Sequence, residues 1–386
     1  AALDRSGQSI SAFLQPGNYF EAGISVLDPD VSGKANANGS SLSDMGDDYY
    51  FPSAALKLQV TDHFSFGLLY DQPFGADVTY STTDSALALN GSGLFHNGTE
   101  PTEVEVKSQS ISMIFGYQPT ENFNFYAGPV YQTIEGDVQL RGLAYDGSAT
   151  FGGYNASIKE TGDIGWLAGA AFQIPDIALK ASVTYRSEIE HSVNVKESFN
   201  SAGLFAGLNA APSLNTDITT PQSVNLDFQT GIMANTVAFA NVRWVDWSSF
   251  SIQPYKFGLA SKSAAIQAQT GKSEFDLVAY TDDQISATVG VGRKLNDQWA
   301  GNVSVGWDSG AGNPVTTLGP TEGYWNVGLG AQFSPTPQTF IAGGVQYFWL
   351  GDAKAQTGAQ FDTAGYVAEF KDNHAIAYGL KMGYKF

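Results

Sequence analysis

The sequence predicts an all-β fold, a transmembrane antiparallel β-barrel, and three observations carry that expectation. Charge is thinned, apolar residues alternate with small or polar ones in segment after segment, and every second connection is short. Of 386 residues, 15% are charged, 13% are aromatic and 43 are glycine, whereas an ordinary globular domain carries roughly 25% charged residues. No window approaches the ~18 consecutive apolar residues of a membrane-spanning helix. Barrel strands leave a weaker signal, about ten residues of alternation bounded by turns, and a mean hydropathy of −0.13 is compatible with that. Cysteine is absent, which excludes a disulfide scaffold and thiolate-based metal or redox chemistry. The opening "AALDRSG" reads as a chain that begins after a small-residue cleavage site.

Residues 1–17 precede the first alternating segment and are expected to form a short luminal plug. There Leu3, Ile10, Phe13 and Leu14 would pack inward, with Arg5 paired to an interior carboxylate. Residues 18–386 then supply about fourteen strands, an even number as single-chain bacterial barrels require. The expected spans are 18–32, 48–61, 62–82, 102–118, 122–141, 155–174, 177–196, 220–233, 236–251, 278–294, 298–309, 323–334, 338–352 and 372–386. The last is the clearest: Ile376, Tyr378, Leu380, Met382, Tyr384 and Phe386 share one face, and Lys381 and Lys385 lie on the other. Period two with lysines on one side means one face meets an apolar phase and the other meets water. The span 177–196 shows the same pattern over a greater length. Its polar parity would place Arg186, Glu188 and Glu190 in the lumen as a charge network.

Connections carry independent information. Those at 61–62, 118–122, 175–176, 234–235, 295–297 and 334–338 are tight, while the alternate ones are long and rich in Gly, Ser, Asn, Asp and Thr. Periplasmic turns are short and exterior loops long in outer-membrane barrels, so the expected location is the outer membrane of a Gram-negative cell. Aromatic clusters at strand ends (Tyr49, Tyr50, Phe51; Trp244, Trp247; Phe348, Trp349) suit interfacial belts. The third strand is unusual: "FSFGLLYDQPFGADVTYS", residues 64–81, meets Pro73 and Gly75 in mid-course. Proline withholds a ladder N–H and glycine packs nothing, so both mark bulges or edges.

Taken in order, "NYFEAGISVLDPDVSG", "FPSAALKLQVTDHFSFGLLYDQPFGADVTY", "KASVTYRSEIE", "NVRWVDWSSF", "LNDQWAGNVSVGWDSG" and "GYWNVGLGAQFS" resemble the FadL and OmpP1 family of outer-membrane long-chain fatty acid transporters. The resemblance implies fourteen strands, an inward-folded N-terminal segment and passive uptake of hydrophobic molecules. It also implies a wall opening at a kinked third strand, here Asp71, Gln72, Pro73, Phe74, Gly75, Ala76 and Asp77. In place of the family's longer N-terminal hatch with its Asn-Pro-Ala motif, only about seventeen residues precede the first strand. By position Arg141 matches one carboxylate-reading base of the family. The second is unmatched, since the tenth strand starts "YTDDQIS" and Lys272 is the nearest substitute. Phe199, Leu204, Phe205, Phe250 and Phe257 in the loops are the candidates for an external capture groove.

The expected partners are a long-chain fatty acid or another hydrophobic small molecule, and outer-membrane lipid with lipopolysaccharide, the barrel being monomeric. No cofactor or metal is expected: the four histidines are scattered, and Asp44, Asp47 and Asp48 lack the spacing of a calcium loop. A net charge of −19 argues against nucleic acid. A cation-preferring aqueous porin is the rival reading, and an outer-membrane phospholipase is a more remote one, without a Ser and His pair in evidence.

Overall fold

The computed structural model describes residues 2–386, and fourteen antiparallel strands close on themselves. In chain order they are β1 (Tyr19–Asp30), β2 (Tyr49–Gln59), β3 (Phe64–Asp71, resuming at Gly75–Thr79), β4 (Glu103–Thr120), β5 (Phe123–Gln139), β6 (Asn155–Ile174), β7 (Leu179–Arg186) and β8 (Ser223–Met233). The circuit continues through β9 (Thr236–Val245), β10 (Gln284–Lys294), β11 (Trp299–Asp308), β12 (Tyr324–Thr336), β13 (Thr339–Leu350) and β14 (His374–Lys385). Each pairs with its chain neighbour, and the ring closes where Tyr19 of β1 faces Lys385 of β14. Closure removes the free edge that an open sheet would present in lipid.

Alternation decides which side chain goes where. Ile376, Tyr378, Leu380, Met382 and Tyr384 of β14 point outward and are exposed, as are Ile111, Met113, Phe115 and Tyr117 of β4. Between the latter, Ser110, Ser112 and Ile114 are buried inside. Outward aromatics form two levels. Phe64 and Tyr117, Phe123 and Phe172, and Trp299 and Phe333 pair with centroids 4.9–5.3 Å apart near the short turns. Toward the long loops lie Trp166 with Tyr185, Trp307 with Trp325, and Tyr347 with Trp349. Such rings sit at headgroup level on each side of an apolar band. Trp247 departs from the expected belt: it is fully buried under the loops against Phe74, Phe250 and Tyr280.

The long loops pack into a cap with its own apolar core. Phe151, Tyr154, Phe199, Phe205, Phe257 and Phe275 form one cluster there. The loop after β9 contributes two short helices, α1 (Tyr255–Ser261) and α2 (Ala264–Thr270). At the start of α1 the buried Glu197 carboxylate accepts the N–H groups of Lys256 and Phe257 at 2.8 and 2.9 Å, and the Tyr154 hydroxyl at 2.6 Å. An acid bonded to free N–H groups at a helix start is the stabilising arrangement, and here it ties two loops together.

The expected single strand over 177–196 is corrected. β7 leaves the wall after Arg186, and Ile189–Val193 pairs with Thr216–Thr220 as a hairpin instead of continuing along β6. The chain rejoins β6 only at Lys196–Ser198. Ile189 turns inward to pack with Phe13, Ile114, Tyr126 and Leu167, so the face parity reverses. Glu188 and Glu190 are therefore exposed, outside any luminal network. Arg186 alone of the three is buried in the lumen.

Candidate functional site

The third strand is broken where Pro73 and Gly75 stand. Asp71 pairs with Ser110 and Gly75 with Lys107, so three residues of β3 oppose two of β4, which makes one extra residue and a bulge. Phe74 has no ladder partner on β4. The Ser108 hydroxyl substitutes, accepting from the Phe74 N–H and donating to its carbonyl, each at 2.9 Å. From inside the barrel, the N-terminal segment completes the ladder. Pro73 O accepts from Arg5 N at 2.9 Å, and Gly75 N donates to Leu3 O at 2.9 Å. The Ser6 hydroxyl donates to the Asp71 carboxylate at 2.5 Å.

The kink carries β3 away from β2. Pairing between them runs only from Gln59–Ser65 to Ala54–Tyr70, while β1 stays paired with β2 as far as Tyr49. Residues 49–53 of β2 thus lack a strand on the β3 side, and Pro52 lies among them, where a missing N–H costs no bond to β3. Above the gap the Tyr49 hydroxyl accepts from Asp77 N at 2.6 Å, and Asp47 N donates to Asp77 O at 3.2 Å. Behind the gap is a luminal chamber of about 760 Å³, lined by both rims (Phe51, Pro52, Ser53; Tyr70, Gln72, Asp77) and by the N-terminal segment. Roughly 300–1,000 Å³ is the span that holds small-molecule ligands. A second, nearly wholly apolar cavity of about 40 Å³ lies above it among Leu3, Ala76, Val106, Val138, Leu277 and Leu318.

The N-terminal segment is fixed by polar contacts that sequence reading missed. Asp4 takes two bonds from Arg243, at 2.8 and 3.0 Å, and one from Gln284 at 3.0 Å. Asn225 and Gln8 each accept one further Arg243 bond, and Asn225 donates to the carbonyls of Gly7 and Gln8. Arg5 does not meet an interior carboxylate: it donates to the carbonyls of Ala2 and Asp4 and lies over the Tyr49 ring, 4.9 Å from its centroid. Lower down, Ile10 and Phe13 are fully buried, Leu3 is buried and Leu14 partly so.

Other expected site residues are placed differently. The Arg141 guanidinium is buried and engaged by Leu140 O, Tyr154 O and Asn155 Oδ1, with Glu100 at 3.5 Å, so it anchors a loop. Phe199, Phe205, Phe250 and Phe257 are each at most 5% exposed, and of that set only Leu204 faces outward. Buried side chains in a cap core cannot line an external groove. Lys272 donates to Phe361 O. Asp44 accepts from the N–H groups of Val31 and Gly46 and shapes a turn.

Comparison with known proteins agrees with this architecture. In structure the chain is similar to a Pseudomonas aeruginosa FadL homologue, with a TM-score of 0.70 at 16% identity, over 96% of this chain and 91% of that one. It is also similar to the P. putida toluene transporter TodX, with a TM-score of 0.64 at 13% identity, over 97% and 91%. The Ralstonia pickettii toluene transporter TbuX gives 0.57 at 11% identity, over 97% and 91%. A search of curated protein sequences gives no match. The profile of one family, outer membrane protein transport protein (OMPP1/FadL/TodX), matches residues 9–386. With that match spanning all fourteen strands, the chain belongs to the OMPP1/FadL/TodX family of outer-membrane transport proteins, which are channels and not enzymes.

Proposed function

We propose that the protein takes up long-chain fatty acids or related hydrophobic molecules and releases them sideways into the outer membrane between β2 and β3, at Asp71–Asp77. The observation that carries this reading is the ladder missing at residues 49–53 with the 760 Å³ chamber directly behind it. A wall break in lipid is tolerable only where the freed backbone groups find other partners. At the kink, Ser108 and the N-terminal segment provide them. An apolar solute gains about 0.8 kcal/mol per buried methylene, so a lateral exit spares it the aqueous periplasm. The N-terminal segment acts as a plug that leaves the chamber open toward the gap and blocks the straight path. Two of the structural neighbours are named toluene transporters, which supports an apolar cargo.

Deleting Pro73 tests the exit, because it removes the extra residue and lets β3 pair in step past Asp71. Uptake of a radiolabelled C16 acid into proteoliposomes is expected to fall at least tenfold while the heat-modifiable gel shift of the folded barrel persists. Unchanged uptake by a variant whose wall is shown closed would overturn the lateral route.

A further inference from the structure

Of the five arginines, four have work that is visible in the fold. Arg243 makes four hydrogen bonds to Asp4, Gln8 and Asn225, Arg141 three to the loop carbonyls and Asn155, and Arg293 bonds Thr236 at the periplasmic end. Arg5 spends one terminal nitrogen on two carbonyls and its flat face on Tyr49. Arg186 is different. It is 6% exposed, its single hydrogen bond among the described residues goes to the Ser112 hydroxyl at 3.1 Å, and its Nε has no partner. Arg186 lines the chamber behind the opening, and Arg5, whose Nε is also unpartnered, lines it too.

A guanidinium carries five N–H donors in a fork that matches a carboxylate. Leaving one largely unbonded in a buried site is costly unless something arrives to meet it. Among the chamber's acids, Asp4 is held by Arg243 and Glu21 faces Lys381 at 3.5 Å, while Asp71, bonded by Ser6, attracts Arg186 but takes no hydrogen bond from it. Asp77 stands at the outer rim beside Asp47, where it would repel an anion from the gap. Around the gap itself the lining is apolar, with Phe51, Pro52 and Leu69.

We propose that the chamber is a ligand station at which Arg186 holds the carboxylate of a long-chain amphiphile, its alkyl tail directed to the β2–β3 gap. The inference rests on the reading of that gap as the exit. It assigns a head-group contact to a residue well removed from Arg141, and a direction to the passage: tail first into the bilayer, carboxylate last.

The experiment measures binding of a C16 fatty acid and the C16 alcohol to the detergent-extracted full chain, by displacement of a fluorescent acyl probe. The wild-type protein should bind the acid about tenfold or more tightly than the alcohol, as hydrogen bonds to a charged group contribute. Arg186→Gln should erase that preference by weakening acid binding far more than alcohol binding, and Arg186→Lys, which keeps the charge, should restore part of it. Equal wild-type affinities, or an Arg186→Gln loss shared equally by acid and alcohol, would overturn the station. Uptake separates the two readings. If Pro73 deletion stops acid and alcohol alike while Arg186→Gln discriminates between neither, the exit stands and the station falls. If Pro73 deletion leaves uptake intact while Arg186→Gln abolishes acid preference in binding, the exit falls and the head-group contact stands.

Discussion

The barrel wall is interrupted twice, at β3 and at β7, and the two interruptions have opposite results. At β3 the strand kinks inward and rejoins β4, and what lies behind the vacated place beside β2 is a cavity. At β7 the strand leaves after Arg186, and residues 158–165 of β6 lose their neighbour on that side. There the space is refilled. Ile189 packs against Gly165, where an added Cβ would meet its Cγ1 at 2.5 Å, and His191 places Nδ1 2.9 Å from Asp163 and Nε2 3.0 Å from Gln132. A break in the ladder does not by itself make an opening. The side chains that occupy the vacated place decide: at β7 Ile189 and His191 fill it, and at β3 the chamber stays open behind Phe51 and Pro52.

Four experiments would break or sharpen that contrast. The largest effect is expected from Ile189→Asp, which puts a carboxylate among Phe13, Tyr126 and Leu167. An unpaired buried charge costs roughly 3–5 kcal/mol, so the hairpin should detach, seen as a lower urea midpoint and new ion conductance in planar bilayers. If conductance stays at the wild-type level with the hairpin released, the refilling argument is wrong. Gly165→Val acts on the same contact by crowding Ile189 and should destabilise by about 1–3 kcal/mol, again with added leak. On the β3 side, Ser108→Ala strips both partners from Phe74 and should cost about 1–3 kcal/mol without adding leak at β7; an unaltered urea midpoint would mean that Phe74 finds another partner.

The smallest effect is a pH dependence at the hairpin, which lies outside the fourteen strands. Burial holds His191 below the usual imidazole range, with Asp163 opposing that trend. A base whose folded pKa is depressed stabilises the fold fully above the unfolded value, near 6.5, and progressively less as pH falls below it. Protection factors for hydrogen exchange across residues 189–193, corrected for the intrinsic rate at each pH, should therefore fall between pH 7.5 and 5, and His191→Gln should flatten the profile. A wild-type profile that is already flat would assign the hold to Ile189 alone.

Most of the barrel was legible because period-two alternation and turn length are local. Thirteen of the expected spans lie on observed strands, and the Pro73–Gly75 interruption falls at the bulge. The β7 departure was not legible. Ile189 and Val193 keep the parity of Val183 and Tyr185 along the chain, and an apolar face reads the same whether it meets lipid or a packed interior. The same ambiguity misassigned Phe199, Phe205, Phe250 and Phe257, whose apolarity serves the cap core. Arg243 had a signal that was overlooked, a charge at inward parity between Val242 and Trp244. Ser108 had none, since its role depends on a bulge in the neighbouring strand.

The contacts of the first eight residues also set an order of events in folding. Asp4 is fixed by Arg243 and Gln284, and Gln8 by Ser223, all more than two hundred positions along the chain. β1 itself waits for β14, from Tyr19 to Lys385. Pairings so distant in sequence form late, because their loop-closure entropy must be met before any contact rewards it. The amino-terminal segment can meet β3 early, at Pro73 and Gly75, but its bonds to Arg243, Gln284 and Ser223 wait for the later strands, so an unclosed intermediate would hold it by the β3 contacts alone. Full engagement of Asp4 by Arg243 and Gln284 therefore reports that the later strands are in place.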